Sequence, residues 1–332
     1  MRRAAAASLL LLLAGCAVTG PPASLAEKVA ADPPVVMARW APPEAPRAVV
    51  LALHGFNDRK AAFDDFGKFA AARGVLVEAY DQSGFGARPN RGLWPGADVL
   101  ADEARERVRE LRRQYPGVPV YVLGESMGAA VAVAAFAGPQ APPLDGLILS
   151  APAVWGGKDL SGFYRAVLTA ARLAIPWVRL TGEGLHIQAS DNIPGLVRLG
   201  RDPLYIRATR VDAIAGLVGL MDEARERGPE LRVRTLVLTG ARDEVVPPQS
   251  QADFVRELPG QGCSVVTYLH GWHLLLLDLQ REAVFRDILA WMDREALPSG
   301  LERPCSRAGT PESRMAVSPH DGTLTHSEPG VG

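Results

Sequence analysis

A serine hydroxyl is a poor nucleophile until a neighbouring base takes its proton, and it must stand clear of the backbone to attack. Ser126 sits in a setting built for both, Gly124-Glu125-Ser126-Met127-Gly128. A short apolar run, residues 118–123, leads into it, and a run of small residues, 129–137, leads out. This reads as strand, sharp turn and helix with Ser126 at the apex, a nucleophile elbow. So tight a turn requires small residues on both sides of the serine, and Gly124 and Gly128 supply them.

An elbow serine needs a histidine as base and an acid to fix the imidazole's tautomer, in the chain order serine, acid, histidine. Thr239-Gly240-Ala241-Arg242-Asp243-Glu244-Val245-Val246-Pro247 follows a strand-like run. Asp243, three residues past Gly240, is the leading acid; Glu244 is its rival, and a helix-capping aspartate is the plain alternative. His270-Gly271-Trp272-His273 follows the last strand-like run. His273 is the favoured base because it stands at the junction with the following apolar segment; His270, at the strand's end, competes. His186 falls in an insertion, and His320 and His326 in the tail.

The oxyanion formed on attack needs two backbone N–H donors. One is expected from Met127, directly after the serine, and the other from Phe56, in Leu53-His54-Gly55-Phe56 after an earlier strand. Their amides matter here more than their side chains. His54 reads as a structural residue that holds this loop.

The elements that must carry these residues alternate. The run at 48–53 is continuously apolar, those at 75–80, 118–123, 144–149, 235–239 and 264–269 are strand-like, and 35–40 suits an edge strand. Helical spacing covers 60–72, 97–114 and 274–294. Strands apolar on both faces and separated by helices imply a parallel sheet covered on both sides. Ligands bind outside the carboxyl ends of such strands, where each motif above falls. Residues 153–231 interrupt the alternation with no convincing strand. Leu160, Phe163, Tyr164, Val167, Leu168 and Ala171 keep helical spacing, and 211–221 reads as a second helix. The insertion is read as a helical cap over the site, against the alternative that it only extends the core.

Composition suits a folded domain: 332 residues, 48% hydrophobic, formal net charge −1. That charge implies no polyanionic partner, and the scattered Lys and Arg argue against nucleic acid. Arg2 and Arg3, an apolar stretch 4–13 too short to span a bilayer, and Leu13-Ala14-Gly15-Cys16 read as a secretory signal. Its ending resembles a bacterial lipobox, whose cysteine is lipidated on sulfur and becomes the new N-terminus after cleavage; ordinary signal cleavage is the alternative. Cys16 is thus the candidate lipid anchor at a membrane, and Ala17 favours the outer membrane facing the periplasm. Residues 17–34, rich in proline, read as a tether. The domain is expected over 35–297, and 298–332, proline-rich and without period, as a disordered tail. Cys263 and Cys305 could pair in an oxidising compartment, but the position of Cys305 in that tail favours two free thiols.

Taken together, His54-Gly55-Phe56, Asp81-Gln82-Ser83-Gly84-Phe85-Gly86, the elbow, Ser150-Ala151-Pro152, Asp202-Pro203-Leu204, the Asp243 loop and Gly271-Trp272-His273 resemble one family. They are similar to the monoacylglycerol lipase and lysophospholipase-like branch of the α/β-hydrolases, across about residues 35–295. The resemblance implies an α/β-hydrolase fold, a mostly parallel central sheet flanked by helices with a helical cap inserted between two strands. It implies hydrolysis of fatty-acyl esters, small molecules, through Ser126, Asp243 and His273, with no metal and no cofactor. Ser83 and Phe85 stand where the family has arginine and histidine, and Glu125 where many lipases have histidine. These positions are expected near the pocket rim and bear on the substrate.

The expected protein is a lipid-anchored serine ester hydrolase acting on monoacylglycerols, lysophospholipids or similar esters. Phe163, Val167, Ile214 and Val218 are its expected apolar cap residues. A peptidase or thioesterase with the same machinery is the nearest rival, and a non-catalytic acyl-binding lipoprotein a more distant one. A dehalogenase or epoxide hydrolase would need an aspartate where Ser126 stands.

Overall fold

Continuous runs of Val, Leu, Ile and Ala form the central strands. The computed structural model describes residues 36–305 apart from 140, 160, 183 and 185. Cys16, the signal-like segment 1–16, the tether 17–34 and the tail beyond residue 305 lie outside the described residues.

In chain order the strands of the main sheet are β1 (Met37–Trp40), β2 (Ala48–Leu53), β3 (Val75–Tyr80), β4 (Val120–Glu125) and β5 (Gly146–Ser150). After an insertion carrying β6 (Arg179–Thr181) and β7 (Ala208–Arg210) come β8 (Thr235–Gly240), β9 (Cys263–Tyr268) and β10 (Arg303–Pro304). The spatial order is β1-β3-β2-β4-β5-β8-β9-β10. The inner strands pair in parallel; β1 on β3 and β10 on β9 are antiparallel. Every residue of β2, β3, β4, β5 and β8 is buried, as strands must be when helices cover both faces.

One face carries α2 (Ala97–Gln114), α3 (Met127–Phe136) and α6 (Val211–Arg227); the other carries α1 (Asp64–Ala71) and α8 (Arg281–Met292). Helix α3 is buried on every side. Its alanines let α2 and α6 approach closely on either flank. The helix seen in the sequence at 60–72 opens as a 3₁₀ turn, Lys60–Phe63, before α1.

Between β5 and β8 the insertion contains α4 (Gly162–Ala174), α5 (Ile193–Arg201) and α6. It holds a small core of its own, Leu168, Leu180, Val211 and Ile214. The expectation of no strand there needs correction: β6 and β7 pair antiparallel, Arg179 opposite Arg210. Three-residue strands are too short to show a period. Helix α6 also joins the main core through Leu220 and Ala224.

Two further corrections fall at the C-terminal end. The last helix begins at Arg281, not at residue 274; residues 269–280 are turns anchored by side chains, so their leucines mimic a helical run. The stretch 298–305, expected as disordered, returns along the sheet as β10, and Cys305 bonds Cys263 in a disulfide, Cα atoms 5.3 Å apart. Arg303 pairs with Val265, and Cys305 N donates to Cys263 O at 3.0 Å, which brings the two sulfurs together. That pairing overturns the free-thiol expectation.

Candidate active site

Ser126 follows β4 and precedes α3 with φ 54° and ψ −114°, a left-handed conformation costing roughly 1–3 kcal/mol that surrounding contacts must hold. Ser126 N donates to Ser150 O at 2.9 Å, and Ala153 N to Ser126 O at 3.1 Å. The flanking glycines are a steric requirement. A Cβ on Gly124 would lie 2.4 Å from Gly128 O, and one on Gly128 would lie 1.9 Å from Leu53 O. The backbones of β2, β4 and α3 meet with no room for a side chain.

His273 and Asp243 reach this apex from loops after β9 and β8. Ser126 Oγ and His273 Nε2 are 2.9 Å apart, and His273 Nδ1 and Asp243 Oδ2 are 2.8 Å apart. With Nδ1–H donating to the carboxylate, Nε2 is left as an acceptor for the serine hydroxyl. Both Asp243 and His273 are buried. Asp243 Oδ1 accepts Val245 N and Val246 N, each at 2.8 Å, and Oδ2 also accepts Gln251 Nε2 at 2.8 Å. Four donors on one carboxyl fix its plane.

The rivals lie elsewhere. Glu244 accepts Gln188 N at 2.7 Å and His270 is exposed beside Arg242. His54 is fully buried, and burial pushes its imidazole down to about 4. Its Nδ1–H donates to Gly55 O at 2.8 Å while Nε2 accepts Gln82 N at 3.0 Å. A neutral ring with both nitrogens engaged holds a loop and moves no proton.

Met127 is the first residue of α3, so its N–H has no acceptor within the helix and shares the positive end of the helix dipole. Phe56 follows β2, its ring packed edge-on against Phe85. An added Cβ on Gly55 would meet Ser126 Cβ at 3.5 Å, ordinary contact, so Gly55 sits directly over the serine.

A cavity of about 630 Å³ opens onto Ser126 and His273. Its far wall is apolar, with Trp155 and, from α6, Ile214, Leu217, Val218 and Met221. Of the four expected cap residues, Ile214 and Val218 face this space, whereas Phe163 is exposed on α4 and Val167 lies off the lining. Glu125, expected at the rim, is buried beneath it. Ser83 is likewise buried and its hydroxyl accepts Asn90 Nδ2 at 2.8 Å, so it serves the loop rather than the rim.

Several supporting residues carry no sequence motif. Gln251 lies eight positions past Asp243, in α7 (Pro248–Glu257). Asp278 holds the histidine loop by accepting Trp272 N at 2.8 Å and Ser190 Oγ at 2.6 Å. Leu274 N donates to Ala189 O at 2.8 Å, tying that loop to the insertion. A Gln in a helix and an Asp among leucines give no signal until the fold brings them together.

Comparisons with known proteins agree with this architecture. Residues 44–280 match the family model described as Hydrolase_4, serine aminopeptidase, S33. The chain is 23% identical to human monoglyceride lipase over 270 residues, 80% of this chain and 88% of the human protein. It is 24% identical to a monoacylglycerol lipase of Mycolicibacterium smegmatis over 256 residues, 76% of this chain and 90% of that protein. The crystal structure of the Paleococcus ferrophilus monoacylglycerol lipase superposes with a TM-score of 0.67 at 19% identity, over 78% of this chain and 98% of that one. At such identity the structural match speaks for the fold.

Proposed function

The chain belongs to the serine aminopeptidase S33 family of α/β-hydrolases, and from that premise we propose that it hydrolyses carboxylic esters of medium to long acyl chains. One observation carries the reading: the hydrogen-bonded chain Ser126–His273–Asp243 opens onto a largely apolar cavity. Ser126 Oγ attacks the ester carbonyl as His273 Nε2 takes its proton. Asp243 holds the ring and stabilises the imidazolium. The amides of Phe56 and Met127 hold the oxyanion. His273 then returns the proton to the departing alcohol, leaving an acyl-enzyme. Water activated by the same histidine releases the acid and restores Ser126.

The apolar wall from α6 supports an acyl chain over an amino-acid residue, and monoacylglycerols and lysophospholipids carry such chains. Hydrolysis rates of the full chain against monoacylglycerols, lysophospholipids and p-nitrophenyl esters graded by acyl length, beside an amino-acid anilide, test this. Turnover rising from short to medium acyl length, with the anilide inert, is the expected result. A preference for the anilide would make the protein a peptidase.

We further propose that Cys16 is lipidated and tethers the domain to the bacterial outer membrane on its periplasmic side. The basic and apolar start of the sequence supports this, as does a disulfide suited to an oxidising compartment. Mass spectrometry of the N-terminal peptide from membrane fractions tests it; an unmodified Cys16 contradicts it.

A further inference from the structure

Behind the nucleophile lies a second cavity, of about 320 Å³ and polar in character. It adjoins the acyl cavity: Asp58, Leu199 and Leu274 line both. Its inner end is formed by Glu125, the residue before Ser126, and Asp58, two residues after Phe56. Both carboxyls are more than nine-tenths buried. Asp58 Oδ1 accepts Arg59 N at 2.7 Å. Glu125 accepts a backbone N–H from Leu276, and its Oε1 has no hydrogen-bond partner.

A carboxyl oxygen buried without a partner is costly. Burial, then the charge of Asp58, pushes Glu125 up to about 8. The guanidinium of Arg59, which also lines the cavity, is committed elsewhere: its Nε donates to Asp202 Oδ2 at 2.6 Å. Among the cavity's charged lining residues five are acids and three are bases. Two of those bases, Lys68 and Arg198, stand exposed at the mouth. Among the described residues no group of three or more acidic, histidine or cysteine side chains is placed to hold a metal ion.

We propose that this second cavity is a cation subsite, which takes an ammonium group borne on the alcohol portion of the ester; Asp58 is its counter-charge, and Glu125 becomes a second one when the arriving cation displaces its proton to solvent. The inference rests on the ester-hydrolase reading. With the acyl chain against α6, the alcohol portion is assigned to the adjoining cavity across Asp58, Leu199 and Leu274, which is lined by the two buried acids. An ammonium there gives the unpartnered oxygen its missing neighbour.

The test compares decanoylcholine with 3,3-dimethylbutyl decanoate, which has the same shape and acyl chain but a carbon in place of the charged nitrogen. The wild-type protein is expected to favour the choline ester in kcat/KM by about tenfold, the effect of one modest charge contact, with most of the difference in KM. Glu125→Gln and Asp58→Asn are each expected to bring that ratio toward one. Free choline is expected to inhibit p-nitrophenyl decanoate hydrolysis by the wild type more strongly than 3,3-dimethylbutan-1-ol does. Equal kcat/KM for the two esters in the wild type overturns the subsite. So does a preference that survives both substitutions, or equal inhibition by the two alcohols. Failure of the wild type to cleave even p-nitrophenyl decanoate overturns the ester-hydrolase reading itself, and the subsite with it.

Discussion

Gln251 donates from Nε2 to Asp243 Oδ2, the same oxygen that receives His273 Nδ1. The amide side chain is fully buried and also reaches Val246 O at 3.2 Å. Its role is to position the acid. Replacing it with Leu removes one charge-assisted hydrogen bond, of the order of 1.5–3 kcal/mol. Gln251→Leu is expected to lower kcat by about 10-fold or more with little change in KM. Asp243→Asn, which removes the charge itself, should cost nearer 10⁴-fold. Steady-state kinetics on one p-nitrophenyl ester compare the two.

The elbow glycines make a steric prediction. A methyl on Gly128 collides with the Leu53 carbonyl at 1.9 Å, backbone against backbone, whereas one on Gly55 fits. Gly128→Ala should lose about 3 kcal/mol or more, as overpacking in a rigid site does, and Gly55→Ala less than about 1 kcal/mol. Denaturant unfolding measures both.

The disulfide makes a separate prediction. Cys263 and Cys305 close a loop 42 residues apart in sequence, which the chain-entropy estimate values at roughly 4 kcal/mol. Reduction, or Cys305→Ser, should lower Tm by about 10 °C. Activity at 25 °C should persist, since Cys263 begins β9 while His273 follows the strand's other end. Calorimetry with and without dithiothreitol checks the first statement and an ester assay the second.

Glu125 ties stability to pH. Its carboxyl titrates at 4.5 when free and is pushed up to about 8 in the fold, by burial first and then by the charges of Asp58 and Asp278. Between those values the folded state holds a proton that the unfolded state has lost, so stability falls as pH rises. Asp58, raised to about 6, acts in the same direction at lower pH. His54, lowered to about 4 from 6.5, acts oppositely up to pH 6.5. The clear window for Glu125 is therefore pH 6.5–8. Tm of the wild type should fall there, and that of Glu125→Gln should fall distinctly less.

How much the sequence reveals depends on whether a signal is local. The elbow declares itself because Gly124 and Gly128 are forced by backbone contacts within and beside one turn. The inner strands are legible because burial on both faces leaves them largely apolar. Partners that the chain brings from afar leave no such mark. Gln251 looks like an ordinary helix residue, and Cys305 sits in a stretch whose composition resembles a tail. Turn leucines 274–277 imitate a helix, but Ala189 O accepts Leu274 N and Asn192 Nδ2 donates to Leu277 O, hydrogen bonds that spacing does not encode. Glu125 looks like a rim residue until β4 is seen to end inside the core.

The most direct test of the account is covalent labelling of the native chain with a fluorophosphonate, followed by peptide mass mapping. One phosphonyl group on Ser126, absent in Ser126→Ala and accompanied by a loss of ester hydrolysis of roughly 10⁴–10⁶-fold in that variant, is the predicted result. Label on another residue, or near-normal turnover by Ser126→Ala, would contradict it.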